Sequence, residues 1–598
     1  MNVADFIVNF LTDKGVSTIF MVAGGQAMFL NDAVYRSKKI TPIFTHHEQA
    51  ASMAAEAYGR VQGNIGVAMV TAGPGAINAL NGVVGAWTDS APMMVISGQS
   101  ALSNVTYMEN SKIRQLGLQG IYTEPVVKSV TKYFKTVDDP AKILYYLEEA
   151  YFLATSERKG PVWLEVPLDV QRMKVPIKIL EKYIPETKKN NVWNYKKDIS
   201  ELISLIAKSK RPLILAGQGI RLSGGVEEFK KLIQKTNIPV ITTRLGIDLL
   251  ESDNKLFVGR PGIYGDRAGN FAVQNADLIL CIGARLDTGI VGYDAKGWGR
   301  NAKIIVVDID EKELNKPGVK IFKKIIADAK EFLTKLNTEI EKKSFPNFNN
   351  WTDKCHDWKY KYPMVLKSYI KERPVNSYLF TEELSKASSP GDVIVIDTSS
   401  CFHVSCQTWK IKKDQRLITT GGISTMGYWV AAIGACMASG KKSTIVITGD
   451  GSLQMNIQEF ATIKQNKLPI KVFVLNNNGY LLIRHTQKTH LGGRLLGESP
   501  KTGLWCPNPL DIAKAYEIKG FNIQSPRGIE AKLKEVLNFP GPAICNVSSP
   551  EWQQIIPRIA SEKQTDGSML SKPYEDLFPF LSPKELASNI NIGSSDQD

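Results

Sequence analysis

Asp450 stands between two glycines in the stretch TGDGSLQMNIQEF, Thr448–Phe460, where the apolar run Thr444–Ile447 ends and a helical pattern begins. A carboxylate at the carboxyl end of a buried strand is costly to desolvate, so it is expected to face a cation or a ligand. A second apolar run, Val472–Leu475, leads into Asn476-Asn477-Asn478-Gly479-Tyr480. Two strand ends separated by one strand–helix–strand unit can lie side by side in a parallel sheet. Asp450 then offers an anionic oxygen, Asn477 an amide oxygen and Gly479 an unhindered carbonyl. That set suits Mg²⁺, which prefers octahedral oxygen ligands and keeps water and phosphate oxygens among them. Gly449 and Gly451 leave room for a phosphate at the amides of a helix start. Taken alone, the GDG triplet reads more simply as a strand-to-helix turn with a capping aspartate.

Three other stretches carry candidate groups. In THHEQAASMAAEAYGR, Thr45–Arg60, Glu48 opens an Ala-rich helix, where a carboxylate ordinarily serves as a first-turn charge. TAGPGAIN, Thr71–Asn78, is a glycine-rich turn after the strand-like Val67–Val70. In TTGGISTMGYWVAAIGA, Thr419–Ala435, Met426 lies among small residues before an apolar helix, an ordinary setting for core packing.

The elements that must position these groups repeat along the chain. Short apolar runs are each followed by Gly/Asp/Ser punctuation and a helical pattern: Gly66–Val70, Met93–Ile96, Val162–Val166, Pro212–Ala216, Leu278–Ile282, Lys303–Val307, Val393–Ile396, Thr444–Ile447 and Lys471–Leu475. This predicts an α/β protein built on parallel sheets. Polar stretches near 180–197 and 337–375 divide the chain into units at 1–180, 195–340 and 370–555. A tail at 556–598 follows, whose last residues, NIGSSDQD, read as disordered.

Bulk properties exclude several classes. A chain of 598 residues, 43% hydrophobic and 22% charged, is an ordinary globular composition too long for one core. The net charge of +15 comes from dispersed lysines, with no block of five like charges, so nucleic acid is not an expected partner. The seven cysteines are scattered without a CxxC pair, which reads as reduced thiols in a cytoplasmic protein. Val3, Phe6, Ile7, Phe10 and Leu11 form one helical face rather than a signal peptide, and no run of 18 apolar residues spans a membrane.

Together, the GDG-to-Asn segment Gly449–Tyr480, the Glu48 stretch, the glycine turn and the Met426 stretch resemble the thiamine-diphosphate (ThDP) enzymes of the acetolactate synthase and pyruvate decarboxylase superfamily. The resemblance covers about residues 1–560, and TAGPGAINALNGVVGAWTDSAPMMVISGQ, Thr71–Gln99, carries much of it. It implies three doubly wound parallel-sheet domains in the order pyrimidine-binding, central flavin or nucleotide type, and diphosphate-binding. It implies ThDP and Mg²⁺, with Asp450, Asn477 and the Gly479 carbonyl as metal ligands. Glu48 would bond N1′ of the aminopyrimidine and so promote loss of the thiazolium C2 proton, for which a carboxylate shielded from water is suited. Met426 would support the bent cofactor, and Gln119 would stand beside the substrate. Gly24, Gly25, Thr71, Pro74, Asn78, Ser399, Ser400, Gly449, Gly451, Ser452 and Tyr480 would complete the cofactor's surroundings. In this family the two halves of a site come from two subunits, which implies a homodimer or homotetramer.

The central stretches Gly259–Gly292 and Ile304–Leu314 resemble the flavin-binding domain of acetolactate synthases. FAD would meet Gly283, Arg285, Asp287, Asp308 and Asp328; an arginine usual just beyond this motif is Gly289 here, and a vacant or ADP-occupied domain is the other reading. The implied activity is a carboligase that decarboxylates pyruvate and passes the two-carbon unit to a 2-keto acid. The alternatives are transfer to a nucleotide-linked keto sugar, release of an aldehyde by a simple decarboxylase, and a non-catalytic cofactor-binding protein. Three departures bear on the acceptor: Leu168 replaces a lysine, Thr486 a tryptophan, and Ser399-Ser400-Cys401 a Gly-Gln-His triplet. The first two make the pocket roomier.

Overall fold

The computed structural model describes residues 1–185, 193–563 and 569–590. The terminal NIGSSDQD lies outside the described residues. The chain divides into two compact units, 1–187 with 391–402 and 416–552, and 188–390 with 403–415 and 553–598.

The first unit holds two six-stranded sheets. One contains β1 (Thr18–Met21), β2 (Thr41–Phe44), β3 (Gly66–Val70), β4 (Met93–Gln99), β5 (Tyr133–Thr136) and β6 (Pro161–Pro167), in the order β2-β1-β3-β4-β6-β5. The second unit carries β7 (Pro212–Ala216), β8 (Val240–Thr242), β9 (Phe257–Gly259), β10 (Leu278–Ile282), β11 (Lys303–Asp308) and β12 (Lys323–Ile326), ordered β12-β11-β10-β7-β8-β9. Returning to the first unit, β13 (Val393–Ile396), β14 (Arg416–Thr419), β15 (Thr444–Gly449), β16 (Ile470–Asn476), β17 (Lys519–Ile523) and β18 (Ala543–Ser548) are ordered β14-β13-β15-β16-β18-β17. Every pairing in these sheets is parallel, as β15 with β16 and β3 with β4. The expected α/β architecture of three parallel sheets is what the chain adopts.

The helix Glu48–Gln62 shows how the first unit is built. His47 caps it, its ring nitrogen accepting from the Gln49 N–H, and Gly63 ends it at φ 72°. Its Ala50, Ala51, Ala54 and Ala55 are fully buried, because small side chains admit backbones from two directions. A Cβ on Gly434 would lie 1.7 Å from the Ala54 carbonyl oxygen, and one on Gly82 2.2 Å from the Ser52 hydroxyl. Helices therefore meet at backbone distance here, and one hydrophobic core runs from the first sheet to the third. Inside it Arg60 donates to Glu56 at 2.9 Å and to the Thr419 carbonyl at 2.9 Å, while Tyr428 donates to Glu56. Breaking a buried pair of this kind by removing one partner costs about 3–5 kcal/mol.

In the second unit the tail packs against the sheet's helices. Tyr574 donates to the Ile290 carbonyl at 2.6 Å, and Glu575 accepts from Arg300 at 2.6 Å and Gln274 at 2.9 Å. Trp358 donates to Asn589 at 3.0 Å. No helix among the described residues is long and apolar enough to cross a membrane.

Candidate functional site

Asp450 begins the short helix Asp450–Leu453 directly after β15, and β16 delivers Asn477 to the neighbouring strand end. The Asp450 side chain is 1% exposed; one carboxylate oxygen accepts from the Gly451 N–H and the other from the Gly479 N–H, both at 2.9 Å. Burial pushes this carboxyl up to about 6, against the backbone amides and the Arg484 charge, which favour the anion. Beside it, Oδ1 of Asn477 is enclosed and accepts no hydrogen bond. A buried amide oxygen left this way costs roughly 1–3 kcal/mol, a cost a cation would remove. Gly479 is held at φ 133°, and a Cβ there would fall 1.9 Å from the Glu498 carbonyl oxygen, so only glycine fits. On Gly449 a Cβ would meet only Cys401 Sγ, at 3.9 Å, which leaves open space at the helix start. The Tyr480 ring covers Gly451, where a Cβ would come within 2.1 Å of it.

Two residues that sequence reasoning passed over hold this arrangement. Arg484, 2% exposed, donates to the carbonyls of Asn477 at 3.4 Å and Asn478 at 3.1 Å and is paired with Glu498. Its signal was a charged residue three positions after Leu481 on the buried face of the helix Leu481–His490. Asp397, fully buried at the end of β13, accepts from the Thr398 N–H, the Tyr428 N–H, and the hydroxyls of Thr448 and Ser452. Ser452 in turn accepts from the Gly427 N–H at 2.8 Å, and Asn456 donates to the Gly427 carbonyl at 2.9 Å. The turn carrying half-buried Met426 is thereby tied to the helix start after Asp450. Ser399, in the left-handed region at φ 66°, and buried Ser400 follow Asp397 and Thr398 on the same strand end.

The other candidates gather at the carboxyl ends of β1 and β3. Glu48, 8% exposed, accepts from Asn78 at 2.9 Å. A Cβ on Gly75 would sit 3.3 Å from its carboxylate and 2.9 Å from the Thr71 methyl, and one on Gly24 only 2.4 Å from Thr71 Cβ. Thr71 Oγ1 is enclosed with no hydrogen-bond partner. Pro74 starts the helix Pro74–Thr88, and Gly25 has nothing within 4 Å of its Cβ direction. Gln119, exposed at φ 60°, backs onto Gly73, whose Cβ would come 2.5 Å from the Gln119 carbonyl. Gln26 anchors that loop through the Leu118 carbonyl at 3.1 Å. Glu48, Thr71, Asn78, Gly24 and Gln119 are thus brought together. Among the described residues no hydrogen bond or ion pair joins them to Asp450, Asn477 or Gly479. Two features suit a bound group: the enclosed, unsatisfied oxygens at Asn477 and Thr71, and a glycine-lined opening at a helix start.

In the second unit Arg285, Asp287 and Asp308 line one cavity of about 250 Å³, together with Thr288, Glu313 and Lys316. Gly283, at φ 56°, lies behind it, packed backbone to backbone against Gly219. Asp328 caps the helix Ala329–Ile340, accepting from the N–H groups of Lys330 and Glu331, and is not among the residues lining the cavity. Gln218 Oε1, one residue before Gly219, is enclosed and unpartnered. Acidic strand ends and an unsatisfied amide suit a nucleoside group.

The chain is similar to known proteins along most of its length. Models of the thiamine pyrophosphate enzyme N-terminal TPP binding domain, central domain and C-terminal TPP binding domain match residues 1–121, 199–336 and 397–547. The chain is 32% identical to acetolactate synthase 1, chloroplastic, of Zea mays, over 93% of this chain and 87% of that protein. It is 32% identical to the acetolactate synthase large subunit of Lactococcus lactis, over 94% and 95% respectively. With the chloroplastic acetolactate synthase of Arabidopsis thaliana it shares 30% identity, over 93% and 83%.

Proposed function

Because the chain belongs to the thiamine-diphosphate-dependent enzymes of the acetolactate synthase type, we propose that it decarboxylates pyruvate and transfers the remaining two-carbon unit to a 2-keto acid acceptor. Bound ThDP supplies a carbon nucleophile and an electron sink for the departing CO₂. Asp450, Asn477 Oδ1 and the Gly479 carbonyl would hold Mg²⁺, which would supply positive charge for the diphosphate. Asp397 and Ser452 fix the Met426 turn, and Met426 would lie against the bound cofactor. Glu48, oriented by Asn78, holds the proton at N1′ of the aminopyrimidine. Thr71 orients the same ring, and Gln119 positions the substrate. The observation that carries the metal assignment is the enclosed, unpartnered Asn477 oxygen next to Asp450.

Glu48 and Asp450 belong to different sites, completed between two copies of the chain. Apolar side chains exposed on the segments bearing each half support this: Ile113 and Leu118 near Gln119, and Leu491, Leu496 and Trp505 beyond Gly479. The central cavity takes FAD. Incubation with ThDP, Mg²⁺ and pyruvate tests the activity: acetolactate, read as acetoin after acid treatment, is the expected product, and acetaldehyde alone would reverse the assignment in favour of a decarboxylase. A second acceptor class, a keto sugar, has its own support. The Thr486 hydroxyl bonds back to the Leu482 carbonyl at 2.9 Å, so this short side chain leaves room where a larger acceptor would lie. Release of CO₂ that depends on added keto sugar would favour that reading.

A further inference from the structure

The third sheet sets three amides in a row on a face that is otherwise apolar. Asn476 ends β16, and Val472 and Val474 on the same face of that strand belong to the hydrophobic core, as Ile544 does on β18. Asn546 of β18, 5% exposed, pairs in register with Val474 on one side and with Asn522 of the edge strand β17 on the other. Asn476 itself pairs with Ser548, which makes Asn546 its diagonal neighbour. Asn476 Nδ2 donates to Asn546 Oδ1 at 3.0 Å, and Asn546 Nδ2 donates to Asn522 Oδ1 at 3.0 Å. At its inner end the row meets the main chain, where the Asn478 N–H donates to Asn476 Oδ1 at 3.3 Å.

A backbone N–H can only donate, so Asn476 turns its oxygen to it. Its NH₂ then points to β18, where Asn546 answers with an oxygen and in turn needs an acceptor on β17. One backbone group thus fixes the polarity of the whole row. A donor in place of the Asn546 oxygen would turn Asn476 round and set its NH₂ against the Asn478 N–H. That N–H lies in the turn between Asn477 and Gly479. Asn478 is held in the left-handed region at φ 62° and Gly479 at φ 133°, conformations that persist where neighbours over-determine them. Arg484 donates to the carbonyls of Asn477 and Asn478, the Asp450 carboxylate accepts from the Gly479 N–H, and Glu551 accepts from the Asn478 side chain at 3.0 Å. The Asn478 N–H is also among the backbone groups that favour the Asp450 anion, so its aim bears on both sides of the turn.

We propose that Asn546 is a positioning residue for the Mg²⁺ site: by accepting from Asn476 it aims the Asn476 oxygen at the Asn478 N–H, and so holds the turn that presents Asn477 Oδ1 and the Gly479 carbonyl. The proposal rests on the reading that these two oxygens, with Asp450, hold Mg²⁺.

The test follows ThDP binding to the full-length chain by calorimetry at a series of Mg²⁺ concentrations, beside the melting temperature of the cofactor-free protein. Asn546→Leu removes the acceptor and should raise the Mg²⁺ concentration required by roughly three- to tenfold, the reach of one neutral hydrogen bond. Asn546→Asp still accepts from Asn476, so its Mg²⁺ requirement should stay at or below that of wild type. Stability should run the other way: leucine suits a face beside Ile544, whereas a buried carboxylate is costly, so the Leu variant should melt above the Asp variant. A role in packing alone would give both measurements the same order. Where Asn546→Leu fails to fold, Asn546→Ser takes its place, its hydroxyl being shorter than the amide that reaches Asn476. A folded Leu or Ser variant with the wild-type Mg²⁺ requirement overturns the proposal and leaves the metal reading standing. An Asp variant as impaired as Leu overturns it too. Wild-type ThDP binding that is indifferent to Mg²⁺ overturns both the proposal and the metal reading.

Discussion

The Asp397 carboxylate accepts a hydrogen bond from the Ser452 hydroxyl at 2.7 Å. Through that hydroxyl and the Gly427 N–H, the end of β13 fixes both the Met426 turn and the helix start after Asp450. Asp397→Asn turns one acceptor into a donor that faces existing donors. A hydrogen bond to a buried charge contributes about 1.5–3 kcal/mol. ThDP affinity should fall roughly tenfold or more, whereas Ser452→Ala, which leaves the carboxylate its other partners, should cost less. Calorimetric titration of ThDP with both variants checks the order.

Glu48→Gln keeps the side-chain shape and can still accept from Asn78, but removes the charge that favours the proton at N1′. ThDP should bind within a few-fold of wild type while H/D exchange at the cofactor's C2 slows by roughly 10²-fold or more. Exchange at the wild-type rate, measured by NMR after rapid quench, would sink the role given to Glu48.

Asn477→Ala separates stability from binding. It deletes an enclosed oxygen that no hydrogen bond satisfies, so the cofactor-free protein should melt at the same temperature or slightly higher. Mg²⁺-dependent ThDP binding should nevertheless weaken, because a ligand is lost. A lower melting point of the cofactor-free variant would mean that the side chain serves the fold instead.

Glu165 gives a pH signature. It accepts from Gln99 at 3.0 Å, and Gln99 also donates to the Ile121 carbonyl in the loop that follows Gln119. Burial raises the Glu165 carboxyl to about 7, from 4.5 when free. Between these values the folded protein holds the proton that the unfolded chain has released. The contribution of Glu165 to stability therefore declines as pH rises from 4.5 to 7 and is fully lost above 7. Glu165→Gln lacks this titration. Relative to wild type, its unfolding free energy should gain on the order of 3 kcal/mol between pH 4.5 and 8, an upper figure from the shift. Urea unfolding of both proteins across that range measures it.

Much of the scaffold was legible because burial on both faces writes a continuous apolar run. All nine runs named from the sequence are inner strands of the three sheets. The edge strands escaped, since Thr41–Phe44, Tyr133–Thr136 and Lys323–Ile326 are partly exposed and mix polar with apolar residues. Glu48, Thr71 and Asn78 were readable because each sits in a recognisable turn or helix start. Asp397 and Arg484 were not, because their significance lies in partners from other elements: Asp397 meets Ser452 only when β13 and β15 pair.

The backbone-distance packing of the helix Glu48–Gln62 also has a consequence for synthesis. Arg60 and Tyr428, 368 positions apart, share one buried cluster, and the Ala54 carbonyl is covered by Gly434. On the ribosome, the first sheet emerges with its alanine face bare and its Arg60–Glu56 pair lacking Tyr428. The entire central unit up to residue 390 is made before the covering segment appears. The nascent chain thus carries its longest-lived sticky surface in its first hundred residues, where chaperone binding during translation is expected to concentrate.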